Sequence, residues 1–319
     1  MSIFLLRRMA FLALTVLLTS LLVFLVTQWL PGDVCRIVLS REAGPAAIEN
    51  CRQELGLDQS LPVQYINWLR DFISGDWGTS YSTNLPIFPM VIDRLRNSLI
   101  LALVTLVISV PVAVILGVIA GLNANKPVDT VISVGSLAVV GLPEFVTGLV
   151  LIWLFSFGLR DLGLPYLPAN SSIPPEATFF DTLPMLILPA LTAMLVLLAY
   201  IARLTRAGVL TELHQPYVRT ADLKGLPRRI VVVNHVLRNA LLPTITVIAI
   251  SIAWLISGLV VIENVFNYPG LGRMMIFAID RRDMPLLQAV TMVTVLCVAL
   301  ANLGADLLYS ILNPKIRFH

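Results

Sequence analysis

Glu144 stands directly after Pro143 inside a long apolar run, and it is the ionisable residue whose placement most needs a chemical reason. Burying a charge in lipid is expensive, so acidic groups within or beside a membrane span are functional candidates by default. Asp129, Glu263 and Asp306 are the others, each close enough to the end of its run to reach headgroups or water. An ion-coupled carrier usually shows charged relays at mid-membrane. One carboxylate at a kink falls short of that, so the energy for any transport is expected to come from outside the chain.

The remaining catalytic inventory is short. His214, His235 and His319 are the only histidines, with no His-Glu-x-x-His pair, and they read as solvated or capping residues. No Gly-x-x-x-x-Gly-Lys-Ser/Thr run occurs, so the chain itself is not expected to hydrolyse nucleotide. Gly270-Leu271-Gly272 follows no strand and reads as a turn. A nucleophile elbow is absent too, which leaves an intramembrane enzyme without a nucleophile–base or metal pair. No metal or cofactor is expected on this chain.

Cys35 and Cys51 share the one sizeable polar segment, residues 31–96, and are a candidate disulfide. Spacing alone leaves the bonded and free states equally open. Cys297 falls inside an apolar run and reads as packing.

The elements that must position these groups are membrane spans. Charged residues make up 13% of the 319, against the roughly 25% of soluble domains, and 57% are hydrophobic. A net charge of +3 is too small to argue for nucleic acid. Hydropathy predicts six spans near the roughly 20 residues that cross about 30 Å: 9–29, 98–122, 128–157, 183–201, 242–262 and 286–311. The third is overlong and carries Gly141-Leu142-Pro143 centrally, which predicts a kink or break. The first has a basic start, Arg7-Arg8, but no small-residue cleavage site, and reads as an uncleaved helix. Lys and Arg concentrate in the loops on one side, most of all between the fourth and fifth spans, which places both termini in the cytoplasm. Residues 31–96 then lie outside. There Val63, Ile66, Trp68, Leu69 and Phe72 have helical spacing. Either a small cap over the spans or a surface receiving a delivered ligand fits them, the cap more simply. Ser109, Thr147, Ser251 and Ser257, with Glu144, are candidates to line a pathway, although small polar residues more often pack helices together. The organisation expected is an N-terminal span at 1–30, an extracytoplasmic segment at 31–96 and a five-span core at 97–319.

Residues 204–241 are a polar, basic interruption of that core. Pro216 is placed to open a short helix and Gly225 to close it. So short a helix is marginal alone, which points to a docking element that needs a partner surface.

The stretch Gln215–Pro243, with Tyr217-Val218-Arg219-Thr220-Ala221 and Gly225, resembles the cytoplasmic EAA-type loop of binding-protein-dependent ABC importer permeases in its peptide-permease form. Arg219 stands where the general pattern has Glu, and Asp222 departs from the basic or neutral residue usual there. Collinear matches include Leu30-Pro31-Gly32-Asp33, Glu54-Leu55-Gly56-Leu57-Asp58, Gly75-Asp76-Trp77-Gly78-Thr79-Ser80 and Arg94-Leu95-Arg96-Asn97-Ser98. Val261–Phe266, Pro269–Gly272, Ala305–Tyr309 and Asn313–Arg317 continue the series, so the similarity to the dipeptide/oligopeptide/nickel permease group spans nearly the whole chain. The resemblance implies an all-α integral membrane protein with six transmembrane helices, the type I (MetI-like) permease fold and an external cap between the first two. It implies that the loop docks on a cytosolic ATPase. Tyr217, Arg219, Thr220 and Lys224 would make polar contacts, Val218 and Ala221 would pack, Gly225 would make the turn, and His235, Arg238 and Pro243 would support the join to the fifth span. It further implies a second homologous permease, two ATPase subunits carrying ATP and Mg, and an extracytoplasmic substrate-binding protein. Di- and oligopeptides lead the cargo list, ahead of nickel complexes, glutathione, opines and oligosaccharides.

Overall fold

The computed structural model describes residues 2–29, 35, 39, 44–54, 56–174 and 178–312. The sequence motifs at Leu30–Asp33 and Asn313–Arg317, together with Leu55 and His319, lie outside the described residues. Among the described residues there is no strand, only an isolated antiparallel bridge between Thr79 and Pro86.

The helices are α1 (Ser2–Trp29), α2 (Pro45–Glu54), α3 (Leu61–Ser74), α4 (Ile87–Leu122) and α5 (Pro127–Val140), followed by α6 (Glu144–Asp161) and α7 (Phe179–Leu213). Then come α8 (Pro216–Leu223), α9 (Arg228–Ala240), α10 (Leu242–Val265), α11 (Leu271–Asp280) and α12 (Met284–Leu312). Four of them, α1, α4, α7 and α12, are uninterrupted and apolar enough to cross a bilayer. Two bent pairs complete six spans, α5–α6 folding by 105° and α9–α10 by 49°.

The α5–α6 break falls at Gly141-Leu142-Pro143, where Pro143 withholds a backbone donor and its ring excludes the preceding helical turn. The outcome is a break rather than a kink. Helix α7 has 35 residues, about 52 Å at helical rise. Its apolar part covers only the roughly 30 Å of a bilayer core, so it extends a dozen residues beyond the span expected to end at Ile201. Several hydroxyls inside the spans bond back to their own helix, as Thr192 does to the Leu188 carbonyl (2.9 Å) and Thr205 to that of Ile201 (2.8 Å). In lipid no water would satisfy them.

The chain divides into two compact units. One comprises Met1–Asn97 and Gly270–Ala299. In it α3 lies against the end of α1 through a run of rings, Phe24, Tyr65, Trp68, Phe72, Trp77 and Phe88, with successive centroids 4.8–6.1 Å apart. The half-buried edge of α3 is therefore Tyr65-Trp68-Phe72 with Leu69; Val63 and Ile66, whose spacing also fitted the helix, are exposed. Cys35 and Cys51 are bonded, with Cα atoms 5.9 Å apart. The Asp283 carboxylate, fully buried, accepts from Ser80 Oγ (2.6 Å), Ser82 N (3.0 Å) and Ser82 Oγ (2.8 Å), and from Leu286 N (3.3 Å) at the start of α12.

The other unit, Ser98–Pro269 with Leu300–His319, is built around α7. Helix α4 meets α7 so closely that a Cβ at Gly117 would fall 2.6 Å from the Ala202 carbonyl oxygen. On another side a Cβ at Gly208 would fall 2.3 Å from the Ala240 carbonyl oxygen. Small residues at such crossings let backbones approach where no hydrophobic effect drives helices together.

Candidate functional site

Helix α8 is eight residues long and folds because its inner face is covered. Val218 and Ala221 are buried in a cluster with Val209 of α7 and Val231, Val236 and Ala240 of α9. The helix opens at Pro216 and ends in a Schellman turn. Gly225 has φ +71°, its N–H reaches the Asp222 carbonyl at 3.0 Å, and Leu226 N–H reaches that of Ala221 at 3.4 Å. That left-handed position is open to Gly at no steric cost.

The outer face carries Arg219, Thr220, Asp222 and Lys224, all exposed, and Leu223 at 80% exposure. Tyr217 faces inward instead of joining them. Its hydroxyl bonds the Glu212 carboxylate at the end of α7, accepts from Asn239 Nδ2 at 3.0 Å and lies 3.3 Å from the His235 carbonyl oxygen. Desolvation first, and Glu212 second, push the Tyr217 phenol above its ordinary pKa, which keeps it a donor. Tyr217, expected to make a polar contact with the ATPase, has these internal partners for its hydroxyl while the residue stays 38% exposed. His235 and Arg238 line a cavity of about 350 Å³ with Tyr217, Asn234 and Asn239.

Residues Val231–Leu237 of α9 form a π-helical turn, a feature that recurs at functional sites. Pro243 follows at the start of α10, where its missing N–H costs no helical bond. Movement of α8 would thus reach α10 through α9 and reach α7 through Gly208.

The pathway candidates separate. Glu144 and Ser251 line one cavity of about 840 Å³ among α5, α6, α7 and α10. Thr147 and Ser109 are buried in helix packing and do not line it, and the Ser109 and Thr105 hydroxyls find no hydrogen-bond partner among the described residues. Ser257 lies on α10.

Two carboxylates expected to reach headgroups or water are buried instead. Asp129 is held by Arg206, and Glu263, 1% exposed, accepts from Ser98 Oγ at 2.5 Å. Paired and hydrogen-bonded, they need no route to solvent. Tyr268, also buried, has its phenol pKa raised by desolvation first and by Glu263 second. Among the described residues no group of three His, Cys, Asp or Glu is placed to hold a metal ion.

An all-helical chain of six spans, with a short helix hung from its broken core, has the make-up of a transport-complex membrane subunit. The family model of the binding-protein-dependent transport system inner membrane component matches residues 113–318, and that of the N-terminal part of such components matches residues 1–104. The chain belongs to this family of multi-pass inner membrane proteins. A probable peptide ABC transporter permease protein, y4tP of Sinorhizobium fredii, is 34% identical over 319 residues, all of both chains. The glutathione transport system permease protein GsiC of Escherichia coli K12 is 34% identical over 315 residues, 99% of each chain. A crystal structure of an amino acid ABC transporter with histidines aligns at a TM-score of 0.53 and 16% identity, covering 70% of this chain and 94% of that one, which supports the fold alone.

Proposed function

We propose that this chain is the transmembrane permease subunit of an ATP-driven importer for di- and oligopeptides. It lines one half of a pathway completed by a second, homologous permease. Helix α8 docks on one of two cytosolic ATPase subunits, where ATP and Mg are bound and hydrolysed, and a substrate-binding protein delivers cargo to the α2–α3 cap on the opposite face. The excess of Lys and Arg in the loops on one side supports an orientation with both termini in the cytoplasm.

The observation that carries this reading is the two-sided nature of α8. Its inner face is clamped to α7 and α9 by Val218, Ala221 and Tyr217, and its outer face presents Leu223 beside Arg219, Thr220 and Lys224. A helix this short is marginal by itself, and charged side chains beside the 80% exposed Leu223 suit a groove on another protein. Rigid-body motion of such a partner would pass through α8 into the spans. Peptide cargo is supported by the permease y4tP, similar over its full length; GsiC makes glutathione the next candidate.

Mild-detergent purification of the tagged chain followed by mass spectrometry tests the assembly. A second permease, an ATPase pair and a binding protein are expected to co-purify, and Leu223→Glu is expected to lose the ATPase alone. Recovery of the wild-type chain by itself, active in transport, would overturn the proposal.

A further inference from the structure

The cavity shared by Glu144 and Ser251 carries information about cargo chemistry, on the reading that it is the wall of the pathway. Its walls are apolar and aromatic, with Phe145, Tyr200 and Trp254 among them. Among the described residues that line it, Glu144 is the only charged one, and none is basic.

Other acids of this chain are held in place. Asp129 has Arg206, Glu263 has Ser98, and Asp283 has Ser80 and Ser82. Glu144 is different: it begins α6 behind Pro143, is half-buried, and no described side chain pairs with it. The dipole of α6 favours a negative charge at that end, but a carboxylate in apolar surroundings without a counter-charge remains costly. Ser251 offers no positive charge and already donates to the Val247 carbonyl at 2.8 Å. A cation from outside the chain would supply that counter-charge. Aromatic rings beside a carboxylate are the usual surroundings of a bound ammonium, through ring-face and charge attraction together.

We infer that this cavity receives the ammonium end of the cargo and that Glu144 selects for it. Peptides with a free amino terminus fit. An anionic cargo such as glutathione, with two carboxylates to one ammonium, is disfavoured by a wall that offers negative charge alone.

Two measurements on the intact importer test this separately from the peptide reading. In the first, an apolar carbodiimide labels Glu144, and mass spectrometry of the peptide containing it gives the rate. Butylammonium is expected to slow labelling about tenfold at saturation, the equivalent of one 1.4 kcal/mol step, and butyrate to leave it unchanged. Equal effects of the two ions, or no effect, would overturn the inference.

In the second, ATP-driven uptake of trialanine is compared with that of N-acetyl-trialanine in proteoliposomes. Glu144→Gln is expected to lower the first about tenfold and to leave the second within about twofold, while Glu144→Asp keeps the wild-type preference. Parallel loss of both peptides that Glu144→Asp fails to relieve would also overturn it. If the wild-type importer carries neither peptide while butylammonium still protects Glu144, the peptide reading falls and the ammonium site stands.

Discussion

Arg206 grips Asp129 with two parallel hydrogen bonds, Nε to Oδ1 at 2.5 Å and Nη2 to Oδ2 at 2.7 Å. The pair ties the start of α5 to α7, close to where α7 turns into α8. Asn125 N–H (3.0 Å) and Ser133 Oγ (3.2 Å) complete the shell of the buried carboxylate. With both oxygens held, the start of α5 is fixed to α7, and on the proposed coupling a displacement of α8 would be carried towards the broken span.

Removing one partner leaves the other charge uncompensated in a low-dielectric setting, which costs more than the intact pair contributes. Asp129→Ala is therefore expected to destabilise the purified chain by about 2–3 kcal/mol, at or below the lower limit for a fully buried pair because Arg206 is partly exposed. A double-mutant cycle with Arg206→Gln, followed by thermal unfolding in detergent, measures the coupling. Additive losses would show that the two side chains do not act as a unit.

Gly225 ends α8 in the left-handed region with open space around it, so a substitution there is limited by backbone rather than packing. Gly225→Val is expected to strain the turn by about 1–2 kcal/mol and to uncouple ATP hydrolysis from uptake while membrane insertion is retained. Gly225→Asn, which tolerates that conformation, should keep most of the coupling. The ratio of cargo moved to ATP hydrolysed, measured in proteoliposomes, separates the two; equal ratios would count against the turn.

Gly208 is restricted for a different reason. Alanine is the better helix former by about 1 kcal/mol, yet its methyl would fall 2.3 Å from the Ala240 carbonyl oxygen. Overpacking costs about 1–3 kcal/mol, so Gly208→Ala should lower the thermal midpoint in detergent instead of raising it.

Asp283 joins the turn at Ser80–Ser82 to the N-terminus of α12, over 203 residues of sequence. Asp283→Ala would take from the fully buried Ser80 hydroxyl its carboxylate acceptor, leaving it Ser82 and Thr83, and would remove the cap of α12. A loss of about 2–4 kcal/mol is expected from those two effects together, with Asp283→Asn milder. Chemical denaturation followed by ring fluorescence reports it, since Trp77 lies just ahead of this turn.

The bond between Cys35 and Cys51 closes a loop of 16 residues, which on chain-entropy grounds adds about 3 kcal/mol of stability. It also reports sidedness, because such bonds persist in oxidising compartments. Alkylation of the unfolded, unreduced protein is expected to reach Cys297 alone, and reduction should expose two more thiols. Three free thiols without reduction would place residues 31–96 on the reducing side.

What the sequence made legible was whatever composition and local chemistry decide. The apolar runs, the break after Gly141-Leu142-Pro143 and the limits of α8 at Pro216 and Gly225 are all set by neighbouring residues. The packed face of α8 was legible at Val218 and Ala221; the internal partners of Tyr217, namely Glu212, Asn239 and the His235 carbonyl, were not. The burial of Asp129 and Glu263 depends on Arg206 and Ser98, 77 and 165 residues away, and no pattern in one chain reveals such pairings. The same holds for the cavity that brings Glu144 and Ser251 together while Ser109 and Thr147 turn into helix packing. In α3 the periodicity identified the helix, and Trp68, Leu69 and Phe72 are half-buried; the part of Tyr65, whose hydroxyl reaches Ser20 (2.8 Å), was not legible.

The account stands or falls on whether force enters this chain through α8 from separate ATPases. Peptide uptake into proteoliposomes that contain the chain and its second permease, with and without the ATPase subunits, measures this directly. Uptake that requires the ATPases and ATP, and that disappears when residues 216–223 are replaced by a glycine–serine linker, is the expected result. Uptake driven by an ion gradient without them, or undiminished by that replacement, would contradict it.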